Sequence, residues 1–204
     1  MKRLPVSEDS IALAAKILRE GGIVAYPTET VYGLAVDPFS EEALHRLMQA
    51  KGRPETNPIL CVIAGVEQLD ALVAAISPEA QRCMERFWPG PLSLVLPKKS
   101  GVPDLLTAGS DRVCVRHPDH ATARALCAAF GGPITSTSAN RSGEPAVSDL
   151  DDLHLEGVEL ALDAGPLPPS APSTVYDPET DAVLREGAIA AEAIRSARSG
   201  PRTA

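Results

Sequence analysis

The chain has 204 residues, enough for one domain with its own core, so stability requires neither a disulfide framework nor a structural metal. Hydrophobic residues make up 44% and charged residues 23%, which is typical of a globular domain and excludes the disordered, collagen-like and coiled-coil classes. The net charge is −8, and the stretch between Arg141 and Arg185 carries ten acidic residues and no Lys or Arg, which disfavours a general nucleic-acid-binding surface.

Hydrophobic periodicity predicts helices alternating with strands, and therefore an α/β fold. Helices are predicted over residues 11–18, 41–51, 66–75, 78–87, 121–130 and 189–197. Strands are predicted over residues 23–26, 59–63, 93–96, 113–116, 133–135, 160–163, 174–176 and 183–185. The last three strands lack intervening helices long enough for parallel crossovers, so we expect a mixed parallel and antiparallel sheet. We expect a single domain over residues 1–198 and a loose tail over residues 199–204.

The cysteines and histidines do not show the spacing of a metal site. Cys61, Cys83, Cys114 and Cys127 form no CxxC pair, and three of them lie in apolar stretches, so we expect buried, unreactive thiols and no bound metal.

The chain contains no run of 18 apolar residues and no apolar segment near its start that resembles a signal peptide. We therefore expect a cytoplasmic protein that does not bind membranes.

Two cations follow the second predicted helix. Lys51 and Arg53 flank Gly52, and Pro54 and Pro58 restrict the segment after them. A lysine and an arginine held in this way can contact different oxygens of a polyphosphate, the arginine through two parallel hydrogen bonds. The alternative is a cation at a helix end followed by a solvated loop.

Other polar segments follow apolar strands, where open α/β sheets bind their ligands. Residues 27–34 combine two hydroxyls, a carboxylate and a phenol with Gly33, and residues 135–138 are four consecutive hydroxyls. Neutral donors and acceptors of this kind suit an amino-acid hydroxyl or phosphate oxygens. Arg116 ends a strand and can bind a carboxylate at the sheet edge. Hydrogen-bonded turns and a surface ion pair are the structural alternatives.

Taken in order, these segments resemble the threonylcarbamoyl-AMP synthase family, the YrdC-like proteins. The matching motifs reach from residue 27 to residue 187 and are PTETVYGL at 27–34, KGRP at 51–54 with NP at 57–58, WPGPL at 88–92, VR at 115–116, STSAN at 136–140 with SG at 142–143, PSTV at 172–175 and LREG at 184–187. The family often has a His in the strand after Asn-Pro, where this chain has Ile59 to Ile63. The chain resembles the short form that lacks an extra C-terminal domain.

The resemblance implies a twisted mixed sheet with flanking helices and a large open cavity. It implies a nucleotidyltransferase that forms threonylcarbamoyl-AMP and pyrophosphate from L-threonine, bicarbonate or CO2 and ATP, for threonylcarbamoyladenosine in tRNA. Mg²⁺ is expected with ATP, and the product would pass to the tRNA threonylcarbamoyl-transferase machinery.

The resemblance also assigns residues to this site. Thr30, Arg116, Ser136 and Ser173 would bind threonine. The residues implied to bind ATP are Lys51, Arg53, Asn57, Ser138 and Arg185. Among these, Lys51 and Arg53 are expected to stabilise charge in the transition state. Tyr32 and Asn140 are further members of the expected site.

The sequence leaves two other functions open. One is a double-stranded-RNA-binding module, although the acidic stretch and a pI of about 5.0 leave only weak RNA binding through a basic cavity. The other is a carbamoyl-transfer domain of the hydrogenase-maturation type, which would be accompanied by zinc-finger-like CxxC pairs.

Overall fold

The computed structural model describes residues 1–199. In this part of the chain the α-helices are α1 (Glu8–Arg19), α2 (Glu41–Lys51), α3 (Pro78–Phe87), α4 (Asp104–Thr107), α5 (Ala121–Phe130) and α6 (Ala191–Ser199). The strands are β1 (Lys2–Pro5), β2 (Ile23–Pro27), β3 (Tyr32–Ala35), β4 (Cys61–Val62), β5 (Leu92–Pro97), β6 (Arg112–Arg116), β7 (Ile134–Thr135), β8 (Thr137–Ser138), β9 (Val158–Asp163), β10 (Thr174–Asp177) and β11 (Ala182–Arg185). None of the helices in residues 1–199 has the length and apolar character needed to traverse a lipid bilayer.

The strands form two mixed sheets, and helices flank them. The first sheet has the order β1-β9-β2-β3-β8 and the second β11-β10-β5-β6-β4-β7. In the first sheet β2 is parallel to β9 and antiparallel to β3. In the second sheet β5 is parallel to β10 and antiparallel to β6. The α/β class and the mixed strand directions are therefore confirmed, but the strands are divided between two sheets where one was expected.

Helix ends follow the local sequence closely. The Ser40 hydroxyl accepts a hydrogen bond from the backbone N–H of Ala43 at the start of α2, and Gly52 ends this helix with φ 60°. Ser77 caps α3 in the same way, with Pro78 in the first turn. These are the preferred residues for helix starts and left-handed ends, so both helices occupy the predicted residues.

Some predicted elements are wrong in type or length. Residues 66–75 were expected to form an α-helix, but only a 3-10 helix over Val66–Ala71 is present. The strand expected over residues 59–63 is reduced to β4, and β1, β3, β8 and α4 were not predicted. Ser199 is the last residue of α6, and the remainder of the expected tail, residues 200–204, lies outside the described residues.

Around Ser136 the chain passes from one sheet to the other. Strand β7 pairs with β4 in the second sheet, whereas β8 pairs with β3 in the first. The backbone N–H of Ser136 donates to Leu60 O at 2.7 Å, and the Thr135 hydroxyl accepts from the backbone N–H of Val36 at 2.8 Å. The hydroxyl-rich run therefore joins the two sheets, because its backbone and side chains hydrogen-bond to both.

Candidate active site

A cavity of about 980 Å³ is lined by residues of both sheets. This volume is at the upper end of the roughly 300–1,000 Å³ of small-molecule sites. Thr30 and Ser138 line it from the first sheet and its turns, and Arg116 and Arg185 line it from the second. Polar segments from distant parts of the sequence therefore converge on one cavity.

The cavity wall is positively charged although the protein is acidic overall. Four arginines and one carboxylate line it: Arg53, Arg112, Arg116, Arg185 and Asp177. Arg112 and Arg116 pair with carboxylates, whereas Arg53 and Arg185 hydrogen-bond to uncharged carbonyl and hydroxyl oxygens and leave an excess of positive charge on the wall. The cavity is therefore suited to an anionic ligand.

Arg116 is oriented by an ion pair with Glu29. The Arg116 side chain is 3% exposed, and its Nη1 donates to Glu29 Oε1 at 2.6 Å. Arg116 Nε is buried and has no partner within the described residues. Since Glu29 occupies Nη1, the edge formed by Nε and Nη2 remains for a ligand, and this edge matches a carboxylate.

Ser173 and Arg185 form a second polar unit on the wall. Arg185 donates from Nε and Nη2 to Ser173 O at 3.1 and 2.9 Å, and from Nη2 to the Ser173 hydroxyl at 2.8 Å. Burial lowers the pKa of Arg185, but a guanidinium remains charged at neutral pH. The Nη1 group of Arg185 is left for a ligand, since the hydrogen bonds to Ser173 use the other two nitrogens.

Gly187 packs directly against the backbone of residues 172–174, which includes Ser173. A Cβ at position 187 would lie 2.2 Å from Pro172 O and 2.7 Å from Thr174 N. Gly187→Ala must therefore displace this backbone, and we expect the free energy of unfolding to fall by about 1–3 kcal/mol, as for other overpacked sites. Urea denaturation measures this change. Gly132→Ala is the matched control, because its Cβ would meet only the Phe130 ring at 3.9 Å, and equal losses in the two variants would contradict the prediction.

Hydroxyls surround the first-sheet side of the cavity. The Thr30 hydroxyl is 2.9 Å from that of Thr28, and both residues line the cavity with Ser136. A Cβ on Gly33 would lie 3.4 Å from the Ser136 Oγ. The absence of a side chain at Gly33 therefore leaves room beside the Ser136 hydroxyl.

The two predicted phosphate-binding cations are placed differently. Arg53 lines the cavity, and its Nε and Nη2 donate to the carbonyl oxygens of Asn57 and Pro58 at 3.2 and 2.6 Å. Lys51 is 2% exposed, does not line the cavity, and donates from Nζ to the carbonyl oxygens of Ser138 and Asn140. Asn57 is exposed and its side chain is likewise outside the cavity wall.

Burial lowers the pKa of Lys51 to about 8, with a contribution from the neighbouring Arg53 charge. Between about pH 8 and the ordinary lysine pKa, the unfolded chain therefore binds more protons at this group than the folded chain does. We expect the contribution of Lys51 to the free energy of unfolding to rise with pH across this window. Urea unfolding at pH 7 and pH 9.5 tests this: the wild type should gain stability relative to Lys51→Met. A parallel pH dependence in the two proteins would contradict it.

Tyr32 and Asn140 do not line the cavity. The fully buried Tyr32 phenol donates to Gly165 O at 2.7 Å and accepts from the backbone N–H of Ala164 at 3.0 Å. Asn140 Nδ2 donates to the carbonyl oxygens of Arg141 and Glu144 at 2.8 and 2.7 Å. In this structure both side chains hold loops that approach the cavity.

Arg112 and Asp177 also line the cavity, although neither is predicted from the sequence. Arg112, Cys114 and Arg116 alternate along β6 and all line the cavity, as the period of a strand requires. Arg112 Nη2 donates to Asp177 Oδ1 at 2.6 Å, and Glu179 accepts from Nη1. The alternation from Arg116 back to Arg112 was a readable signal, whereas the pairing with Asp177 depends on how β10 is placed.

The expected burial of the thiols is confirmed for three of the four cysteines. Cys61, Cys83 and Cys127 are buried, and Cys114 is partly exposed on the cavity wall. Burial raises the pKa of Cys83 to about 11 and the pKa of Cys114 and Cys127 to about 12. Burial also raises the pKa of Cys61, so all four thiols are protonated at neutral pH.

Among the described residues, the cavity wall carries one carboxylate as a candidate metal ligand. Residues 1–199 contain no group of three His, Cys, Asp or Glu side chains arranged to bind a metal. Asp177 is the carboxylate on the wall, and Arg112 already occupies its Oδ1. Since Mg²⁺ in nucleotide sites is held largely by phosphate oxygens and water, this cavity fits Mg²⁺ only as a complex with a phosphate ligand.

The chain is similar to known proteins in sequence and in fold. Residues 16–187 match the Sua5/YciO/YrdC family model, described as Telomere recombination. The threonylcarbamoyl-AMP synthase of Pyrococcus abyssi (strain GE5 / Orsay) is 43% identical over 84% of this chain and 52% of its own length. That of Bacillus subtilis (strain 168) is 39% identical over 95% of this chain and 58% of its own length.

A solved structure shows the same fold. The crystal structure of P. abyssi Sua5 complexed with L-threonine superposes with a TM-score of 0.84 at 42% identity, covering 91% of this chain and 56% of that protein. The chain thus spans little more than half the length of these relatives. Because the family model matches most of the chain and the fold agrees, the chain belongs to the Sua5/YciO/YrdC family.

Proposed function

We propose that this chain is an L-threonylcarbamoyladenylate synthase, which forms threonylcarbamoyl-AMP and pyrophosphate from L-threonine, bicarbonate or CO2 and ATP. The observation that carries the proposal is that seven of the nine residues expected to bind threonine or ATP line one cavity: Thr30, Arg53, Arg116, Ser136, Ser138, Ser173 and Arg185. The names of the relatives support the same activity, and the bound L-threonine in one of them supports the amino-acid substrate.

The amino acid would bind at the Arg116 side of the cavity. The unused Nε–Nη2 edge of Arg116 matches its carboxylate, and the hydroxyls of Thr30, Ser136 and Ser173 supply neutral donors and acceptors around it. In this arrangement Glu29 fixes the direction of the guanidinium through its 2.6 Å contact with Nη1.

The nucleotide would bind beside it, where its phosphates meet Arg53, Arg185 and the Ser138 hydroxyl. Lys51 is proposed to stabilise negative charge in the transition state. In the structure its ammonium donates to the carbonyl oxygens of Ser138 and Asn140. A direct contact with phosphate would require the ammonium to leave at least one of these carbonyls. While it stays there, Lys51 acts by fixing the backbone beside Ser138.

The chemistry requires positioning more than covalent catalysis. The amine of threonine attacks CO2 and loses a proton, or attacks bicarbonate with release of water, and a carbamate results. A carbamate oxygen then attacks the α-phosphorus of ATP, and the bond from that phosphorus to the leaving pyrophosphate breaks. Alignment of such reactants contributes on the order of 7–11 kcal/mol to lowering a barrier, and the cavity arginines oppose the negative charge that develops on the phosphate.

We propose that Mg²⁺ enters the cavity in complex with ATP, held by phosphate oxygens and water.

We also propose that the protein is cytoplasmic and that it delivers the adenylate to a tRNA threonylcarbamoyl-transferase. The adenylate is a mixed anhydride that water hydrolyses, so the chemistry requires a consumer close to the enzyme.

The decisive experiment measures AMP-adduct formation or ATP–pyrophosphate exchange with each standard amino acid, with and without bicarbonate. The expected result is turnover that requires threonine and bicarbonate together. Turnover with another amino acid, or without bicarbonate, would overturn the assignment. RNA binding that is steeply salt-dependent and persists without ATP and threonine would instead favour the RNA-binding alternative.

A further inference from the structure

Ser93 is the polar residue of an otherwise apolar strand, β5, whose sequence is LSLVLP. It has no exposed surface. Its hydroxyl lies 2.9 Å from the hydroxyl of Ser173, and no other hydrogen bond of its side chain is present within residues 1–199. Because burying an unpaired hydroxyl costs free energy, the contact with Ser173 is what satisfies the Ser93 side chain.

The direction of this hydrogen bond follows from counting protons and lone pairs. A serine hydroxyl has one proton and two acceptor positions. Arg185 Nη2 donates to the Ser173 hydroxyl at 2.8 Å and fills one of these positions. If Ser173 donated to Ser93, the proton of Ser93 would be fully buried with no acceptor, which is the costlier arrangement. Ser93 therefore donates and Ser173 accepts.

We propose that Ser93 is a positioning residue that makes the Ser173 hydroxyl a dedicated donor toward the cavity. With Arg185 and Ser93 donating to it, both acceptor positions of Ser173 are filled, and its single proton is left for a ligand. Ser173 lines the cavity and is 5% exposed. The hydroxyl then selects a ligand oxygen that can accept a hydrogen bond and disfavours a ligand N–H group at the same place. That this oxygen belongs to the carboxylate or carbamate of threonine rests on the proposed function.

The first test compares Ser93→Ala with Ser93→Thr, which retains a hydroxyl. We expect Ser93→Ala to raise the KM for L-threonine about 3–10-fold, the effect of one neutral hydrogen bond, and to leave the KM for ATP within about twofold on the same scale. Ser93→Thr should stay closer to the wild type. Equal changes in both KM values, or no change in either, would overturn the proposal.

The second test asks whether Ser93 acts through Ser173. In a double-mutant cycle, Ser93→Ala should have no further effect on the threonine KM once Ser173→Ala is present. An equal effect in both backgrounds would show a general structural role and contradict the proposal. If Ser93→Ala does not fold, Ser93→Cys serves instead, because a thiol keeps the size of the side chain and is a weaker donor.

A measurement on the protein without substrate separates this inference from the proposed function. A neutron crystal structure locates the hydroxyl deuterons directly. A deuteron on the Ser93 oxygen directed at Ser173 supports the proposal, and a Ser173 deuteron directed at Ser93 overturns it. An enzyme that shows no threonine dependence would overturn the proposed function and leave this result unaffected.

Discussion

Arg53→Ala is expected to lower the rate of AMP-adduct formation at least ~100-fold, the scale for the loss of one charge-stabilising group. Arg53 lines the cavity and is held by the carbonyl oxygens of Asn57 and Pro58 at 3.2 and 2.6 Å. These bonds use Nε and Nη2 and leave Nη1 for a phosphate. Steady-state kinetics with saturating threonine and bicarbonate measure the loss.

Two further variants make the Arg53 result specific. Arg53→Lys keeps the charge and loses the planar fork, so we expect an activity between the wild type and Arg53→Ala. Arg86→Ala is the matched control, because Arg86 is an exposed arginine of α3 that does not line the cavity, and its activity should match that of the wild type. Activity of Arg53→Ala within a few-fold of the wild type would remove Arg53 from this role.

Arg116→Ala is expected to abolish measurable threonine binding and to lower the free energy of unfolding by about 3–5 kcal/mol, the cost of leaving one charge of a buried pair alone. The remaining charge is Glu29, whose side chain is 18% exposed and whose Oε2 already lacks a partner. Calorimetric titration with L-threonine and urea denaturation measure the two effects.

The double variant Glu29→Gln/Arg116→Met separates stability from binding. It removes both charges, so we expect it to recover most of the lost free energy of unfolding. Threonine binding should remain absent, since the guanidinium edge is gone. Recovery of binding together with stability would mean that Arg116 supports the fold and does not contact the amino acid.

Some site residues could be placed from the sequence, whereas others depend on contacts with residues that are distant along the chain. Arg53, Arg116 and Ser173 were predicted as site residues from strand and helix ends and from motif order, and the structure places all three on the cavity wall. Lys51 was predicted from the same motif, yet its ammonium faces the carbonyl oxygens of Ser138 and Asn140. That direction depends on β8 and the turn after it, whose contacting residues lie 87 and 89 positions further along the chain.

Helix boundaries could be predicted because the deciding contacts are local. Ser40 and Ser77 each cap a helix through a backbone N–H three residues away, and such a contact can be read from adjacent residues. The α-helix predicted over residues 66–75 is wrong because the same apolar pattern also suits a short 3-10 helix. Packing against the rest of the molecule decides between an α-helix and a 3-10 helix.

Neighbouring residues and linear patterns were enough to predict the α/β class, the helix caps, the positions of most strands and the motif residues that identify the family. The folded molecule was needed to reveal the division into two sheets, the pairing of Arg112 with Asp177, the burial of Lys51 and the contact of Ser93 with Ser173. Each of these joins segments that are distant in sequence. Their geometry is set by strand register and by the exclusion of water from the core, and neither is encoded in a local pattern.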